Sequence, residues 1–250
     1  MSSMNEFKTA LQFLTRLPVK PDGEPDDATF ARSARFYPAV GLVVGAIIGL
    51  VYCFFSLWFP DTVAAVLCVF TGVAITGALH EDGLADSADG LIGGQDRDQV
   101  LHIMRDHQIG VYGAMALFFA LALQWSVLVA WLDWSVIWVL IAAHVFSRHA
   151  MVEVIARHAY ARAETAKFAR PDVAPEDLTF ARLWTGGVAI VSVFTVGFIP
   201  TVMGAVVSML TMVFFSRWVV RKLGGYTGDI LGATQVLAEI AFLLGALAWL

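Results

Sequence analysis

Residues 62–79 read TVAAVLCVFTGVAITGAL, 18 positions without a charge, and the next eleven, HEDGLADSADG, carry four carboxylates. An apolar helix needs about 20 residues to cross the hydrocarbon core of a bilayer. Seven windows come close to or exceed that length: 38–58, 62–79, 111–132, 134–156, 184–199, 201–220 and 230–249. Hydrophobic residues make up 58% of the 250, against roughly 45–50% in soluble domains. In lipid each backbone polar group must be satisfied within the segment or in a closed barrel, and runs this long select helices. The expected architecture is therefore all-α: a polytopic integral membrane protein with about seven transmembrane helices, forming one domain over residues 1–250.

The fifth window is short and ends against Pro200, so a fused fifth and sixth span is the competing count. Lys and Arg gather in cytoplasmic loops, and this decides between the two. With seven spans and a cytoplasmic N-terminus, all 16 basic residues fall on one side. A fused span would put Arg182 and Arg217 on opposite faces. Ahead of the first span, residues 1–35 form a polar leader without a cleavable signal pattern. Its segment NEFKTALQFLTRL spaces Phe7, Ala10, Leu11, Leu14 and Leu17 as one face of an amphipathic helix, which suits the membrane interface. Cys53 and Cys68 lie inside apolar windows and read as small hydrophobic residues. A net charge of −5 with no basic stripe excludes nucleic acid as a partner.

If a helix carries the acidic stretch, Asp82, Asp86 and Asp89 stand at i, i+4 and i+7, within about 60° of one another on one face. Glu81 lies off that face. Carboxylates stacked so closely repel unless a cation sits among them, and oxygen-only donors select a hard ion, Mg²⁺ first and Mn²⁺ second. Four acids at mid-membrane would cost about 10 kcal/mol on the insertion scale, so the stretch belongs at a hydrated edge. A solvated acidic loop that only caps helices is the competing reading.

Two further polar clusters fall on the same side. In MRDHQIG, residues 104–110, Arg105 offers a planar fork for phosphate and His107 a proton carrier. In GGYTGD, residues 224–229, glycines open a helix start where free N–H groups attract anions, and Asp229 is a further candidate metal ligand. Within the fourth window, His144, Arg148, His149 and Glu153 require pairing or a pocket. Arg148 snorkels to the edge or contacts phosphate; His144 and Gln124 read as packing groups. Trp131, Trp134 and Trp184 read as an interfacial belt. Carboxylates for Mg²⁺ beside Arg and Gly-rich backbone suit a diphosphate, and hence phosphoryl transfer at a membrane. No Walker A pattern is present.

FLTRLPV (13–19), FYPAVG (36–41), the acidic stretch through Gly94, MRDHQIG and GYTGDILGA (225–233) resemble, in order and over nearly the whole chain, the signatures of the adenosylcobinamide-GDP ribazoletransferase (cobalamin synthase) family. The resemblance implies a multi-pass enzyme of the bacterial inner membrane with its site facing the cytoplasm. It implies a Mg²⁺-dependent phosphotransferase that joins α-ribazole, or its 5′-phosphate, to adenosylcobinamide-GDP and releases GMP. On that footing Asp82, Asp86, Asp89 and Asp229 hold the metal. Arg16, Arg105, Asp106, Gln108 and Thr227 contact substrate phosphate or nucleotide, and His80, Glu81 or His107 moves the proton.

Two other readings compete. A CDP-alcohol phosphotransferase also places aspartates at helical spacing, but here Asp89-Gly90 runs into Leu-Ile-Gly-Gly rather than Ala-Arg, and a second pair of aspartates four apart is missing nearby. A transporter would place polar residues at mid-membrane on several helices, whereas the expected distribution crowds them at one edge.

Overall fold

The computed structural model describes residues 2–106, 108–131, 134–161 and 173–250. Among them every regular element is helical: α1 (Ser3–Leu14), α2 (Asp27–Ser33), a 3-10 turn (Ala34–Phe36), α3 (Tyr37–Ser56), α4 (Asp61–Thr76), α5 (Leu79–Gly93), α6 (Arg97–Ile103), α7 (Val111–Ala130), α8 (Val136–Arg157), α9 (Pro175–Thr195), α10 (Phe198–Leu223) and α11 (Gly228–Leu247). Six helical stretches are long and apolar enough to cross a membrane, and a seventh is completed if α4 and α5 count as one broken span.

Two helices form the centre. α8 and α11 are buried along nearly their whole length and pack on each other; α3 and α9 close round α8, and α5, α7 and α10 round α11. The outer helices turn Phe54, Phe70, Phe118, Leu183, Phe194 and Phe214 outward, a surface that requires lipid around it. Cys53 and Cys68 are buried free thiols, as the apolar windows predict.

Three boundaries differ from the sequence expectation. α9 and α10 are separate helices, which removes the fused span, but the break is at Gly197, at φ +116°, rather than at Pro200. Pro200 occupies the first turn of α10, where its missing N–H would have no intrahelical partner. α9 also starts earlier, at Pro175. Finally, the second apolar run does not continue as one helix into the acidic stretch: Gly77 and Ala78 both take left-handed conformations, and α5 leaves α4 at 88°.

The leader is built into the bundle. α1 buries Ala10, Leu11 and Leu14 and packs on α2 and α3. Glu6 is buried and receives Arg32 at 3.0 Å and Arg35 at 2.5 Å, while the other arm of Arg35 reaches Asp177 of α9 at 3.1 Å. Trp131 leaves the expected aromatic belt: it is 2% exposed and donates from its indole to Ser135 Oγ, whereas Trp134 and Trp184 are exposed.

Candidate active site

The turn at Gly77-Ala78 is what makes the acidic stretch a distinct object. α4, at 16 residues, is about 24 Å long, nearly the thickness of a hydrocarbon core. α5 then lies across its end. The whole of HEDGLADSADG falls inside α5, so Asp82, Asp86 and Asp89 share a face as their spacing requires.

Neighbouring elements reach that helix at four places. Gly83 packs on the first turn of α11 so tightly that a Cβ there would lie 2.7 Å from the carbonyl oxygen of Asp229, which brings Asp229 beside the stretch containing Asp82 and Asp86. At the other end of α5, Asp89 Oδ2 accepts from the N–H of Gly110 at 2.7 Å and Oδ1 from that of Gly113 at 2.9 Å. At the break, the backbone N–H of Arg16 donates to Ile75 O at 2.6 Å, and its guanidinium stands where a Cβ on Gly77 would fall. The C-terminus of α5 is held by Lys222, whose Nζ donates to Leu91 O at 2.5 Å and to Gly94 O at 2.8 Å. One end of the bundle thus collects α5, the N-termini of α7 and α11, and the C-termini of α8 and α10.

The predicted site residues separate accordingly. Asp82 is exposed, and Asp86 and Asp229 are half-buried. Asp89 caps the start of α7 with both of its oxygens. Thr227 is wholly buried, and its hydroxyl accepts from Ile230 N as the N-cap of α11 and donates to Asp229 Oδ2, each at 3.3 Å. Asp106 and Gln108 are exposed and form a local turn, Gln108 N–H donating to Asp106 Oδ1 at 3.1 Å; Arg105 precedes them, also exposed. His107 lies outside the described residues. His80 is 1% exposed and lines an interior cavity with Glu81, which has one carboxylate oxygen without a protein partner.

Among the described residues no three His, Cys, Asp or Glu side chains are gathered closely enough to hold a metal by themselves. Mg²⁺ is ordinarily held by one or two carboxylates together with substrate phosphates and water. The oxygen donors of Asp82, Asp86 and Asp229, beside an exposed arginine, fit that mode rather than a closed protein cage.

A second polar group sits deeper and corrects the expectation that polar residues crowd one edge. Arg148 is fully buried, about 14 Å of helix inside the end of α8, and so does not snorkel. It donates to His144 Nδ1 at 2.9 Å; His144 Nδ1 also lies 3.0 Å from Glu239 Oε2. Gln124 and Gln235 donate to Glu239 at 2.9 and 2.6 Å. Glu239 and Gln235 belong to this site although nothing in the sequence reading singled them out. The available signal was a lone acid at the middle of the otherwise acid-free window 230–249.

Fold and site together define a multi-pass helical membrane protein with an acidic, helix-borne site at one end of its bundle. The chain belongs to the Cobalamin-5-phosphate synthase family, whose model matches residues 6–247, and is a transferase of cobalamin synthesis. It is 37% identical over 245 residues to the adenosylcobinamide-GDP ribazoletransferase of Ralstonia pickettii, covering 97% of this chain and 94% of that protein. It is 36% identical to the protein of that name from Vibrio parahaemolyticus (98% and 93% covered) and 35% to that from Shewanella denitrificans (99% and 95%). No solved structure matches it.

Proposed function

We propose that α5 and the helix ends around it form a Mg²⁺-assisted phosphoryl-transfer site, which joins α-ribazole or its 5′-phosphate to adenosylcobinamide-GDP and releases GMP. The observation that carries this reading is the turned helix α5, with Asp82 and Asp86 on one face, Asp229 pressed against Gly83, and Arg16 at the break. The substrates follow from the names of the relatives and from the resemblance of the five motifs. The same reading puts the N-terminus and the site on the cytoplasmic side of a bacterial inner membrane, because the basic residues gather at this end.

In the reaction, a ribose 3′-hydroxyl of the acceptor attacks the phosphorus on the cobinamide side of the diphosphate. The new P–O bond forms as the bond to the bridging oxygen breaks, and GMP leaves with that oxygen. Asp82, Asp86 and Asp229 would hold Mg²⁺, which when bound stabilises charge on the diphosphate oxygens. Arg16 and Arg105 bind phosphate oxygens as charged planar donors. Asp89 fixes the start of α7 through the N–H groups of Gly110 and Gly113. The hydroxyl proton passes to a histidine or carboxylate at this end of the bundle.

The test is GMP release and cobalamin formation by the purified chain in lipid, comparing Asp82→Asn and Asp86→Asn with wild type across a Mg²⁺ titration. Turnover should fall by about 100-fold or more in each, as loss of metal-assisted charge stabilisation of several kcal/mol requires. Near-normal turnover with unchanged Mg²⁺ dependence in both would sink the site.

A further inference from the structure

Between α5 and the two central helices lies a cavity of about 30 Å³, lined among others by His80, Glu81, Gln124, His144, Arg148 and Glu239. Its polar inventory does not close within the protein. Arg148 makes bonds from Nη1 only, to His144 Nδ1 and His144 O; its Nε and Nη2, though buried, have no protein partner. Neither does His80 Nε2, nor Glu81 Oε2. Two polar atoms from α5 and a guanidinium from α8 thus border one small space, and an unsatisfied buried polar group carries its full desolvation penalty.

Size and charge restrict what can complete the set. Water occupies such a space at about 10–15 Å³ per molecule, so the cavity takes about two, far short of a phosphate or an organic ligand. An anion would meet the carboxylates of Glu81 and Glu239, and a metal cation would meet Arg148. Water alone donates to the carboxylate and accepts from the guanidinium at the same time.

We propose that this cavity is a binding site for about two ordered water molecules bridging Arg148 to Glu81, and that Arg148 is a positioning residue acting through them on the first turn of α5. The geometry gives α5 a second anchor. Its C-terminus is fixed by Lys222 and its start by the close packing of the His80 and Gly83 backbone on α11, while the Glu81 side chain of that first turn, which follows two left-handed residues, is tied to α8 through the water and Arg148. His144 accepts from the guanidinium through Nδ1 and its backbone oxygen, Glu239 lies against the same Nδ1, and Gln124 and Gln235 hold Glu239. The positioning role rests on the reading of α5 as the transfer site; the hydration does not.

Cryo-electron microscopy of the full chain in lipid nanodiscs, at a resolution that shows water, should reveal density within hydrogen-bond distance of both Arg148 and Glu81 Oε2. A dry gap, or a direct Arg148–Glu81 contact, overturns the water site. Arg148→Lys keeps the charge without the planar fork. It should lower kcat for GMP release about tenfold, as loss of a supporting hydrogen-bond partner does, with KM for adenosylcobinamide-GDP within about twofold. A kcat equal to wild type overturns the positioning role. If the lysine variant does not fold, His144→Ala removes the side-chain acceptor of Arg148 Nη1, and the same split in kcat and KM is expected of it. Wild-type protein that releases no GMP would refute the assigned reaction and leave the water density to stand or fall separately.

Discussion

Aspartates on one helical face do different jobs, because what a carboxylate can do depends on which of its oxygens are already taken. Asp89 spends both oxygens on the N–H groups of Gly110 and Gly113, the first-turn donors that a helix cannot satisfy itself. Asp82 is exposed at the opposite end of α5. Asp89→Asn keeps the shape but loses the charge-assisted cap, so it should lower unfolding stability in detergent by about 1 kcal/mol, the usual worth of an N-cap or of a charge at a helix N-terminus. Asp82→Asn, read by the same thermal unfolding, should leave stability within about 0.5 kcal/mol, as substitutions at exposed positions do. Equal destabilisation by the two variants would contradict the division. The spacing i, i+4, i+7 made the shared face of these residues legible in the sequence. It carried no information on their partners, which come from 21 and 24 residues away for Asp89 and from α11 for the Asp82–Asp86 end. Glu239 went unnoticed for the converse reason: its partners His144 and Gln124 each looked like a packing residue until the three met in space.

At the scale of elements, the break between α4 and α5 decides the geometry. A left-handed residue costs little for glycine and about 1–2 kcal/mol for alanine, and Ala78 at φ +58° is of that second kind. Nothing in TGAL announces it, since proline, the usual signal of a broken helix, is absent; apolar periodicity alone favours one continuous helix. The opposite occurred at α9–α10, where the sequence marked a break by Pro200 and the chain makes it three residues earlier at glycine. Gly83 tests how much depends on the placement of α5. Alanine there improves helix propensity by up to about 1 kcal/mol, yet its Cβ would fall 2.7 Å from Asp229 O, tighter than any relaxed contact. Overpacking of this sort costs about 1–3 kcal/mol when the backbone has to shift. Gly83→Ala should therefore retain its helical circular dichroism while losing turnover by about tenfold or more, since displaced groups of about 1 Å cost that order. Full activity in Gly83→Ala would show that α5 and α11 need not meet closely for the chemistry.

For the molecule as a whole, the number of spans was legible because the bilayer imposes one length on every crossing, and mean hydropathy alone did not mark the central helices, since buried α11 matches lipid-facing α7. What separates them is the polar residues inside them: Arg148, Glu153, Gln235 and Glu239 are tolerable only where other helices supply partners, which forces these two helices to the centre. Orientation follows from the ends of the bundle. The turn at Asp61 begins α4, and Asp98 follows α5 at the other end, beside Arg97, Lys222 and the acidic site. Basic residues resist translocation, so the Asp98 end should stay in the cytoplasm and the Asp61 end should cross. The native thiols are buried, and replacing Cys53 and Cys68 by alanine gives a background in which one new cysteine reports its own side. In intact cells a membrane-impermeant maleimide should modify Asp61→Cys and leave Asp98→Cys unmodified until the membrane is opened. Labelling of Asp98→Cys in intact cells would invert the molecule and put the acidic helix outside, where a cytoplasmic nucleotide-linked substrate could not reach it.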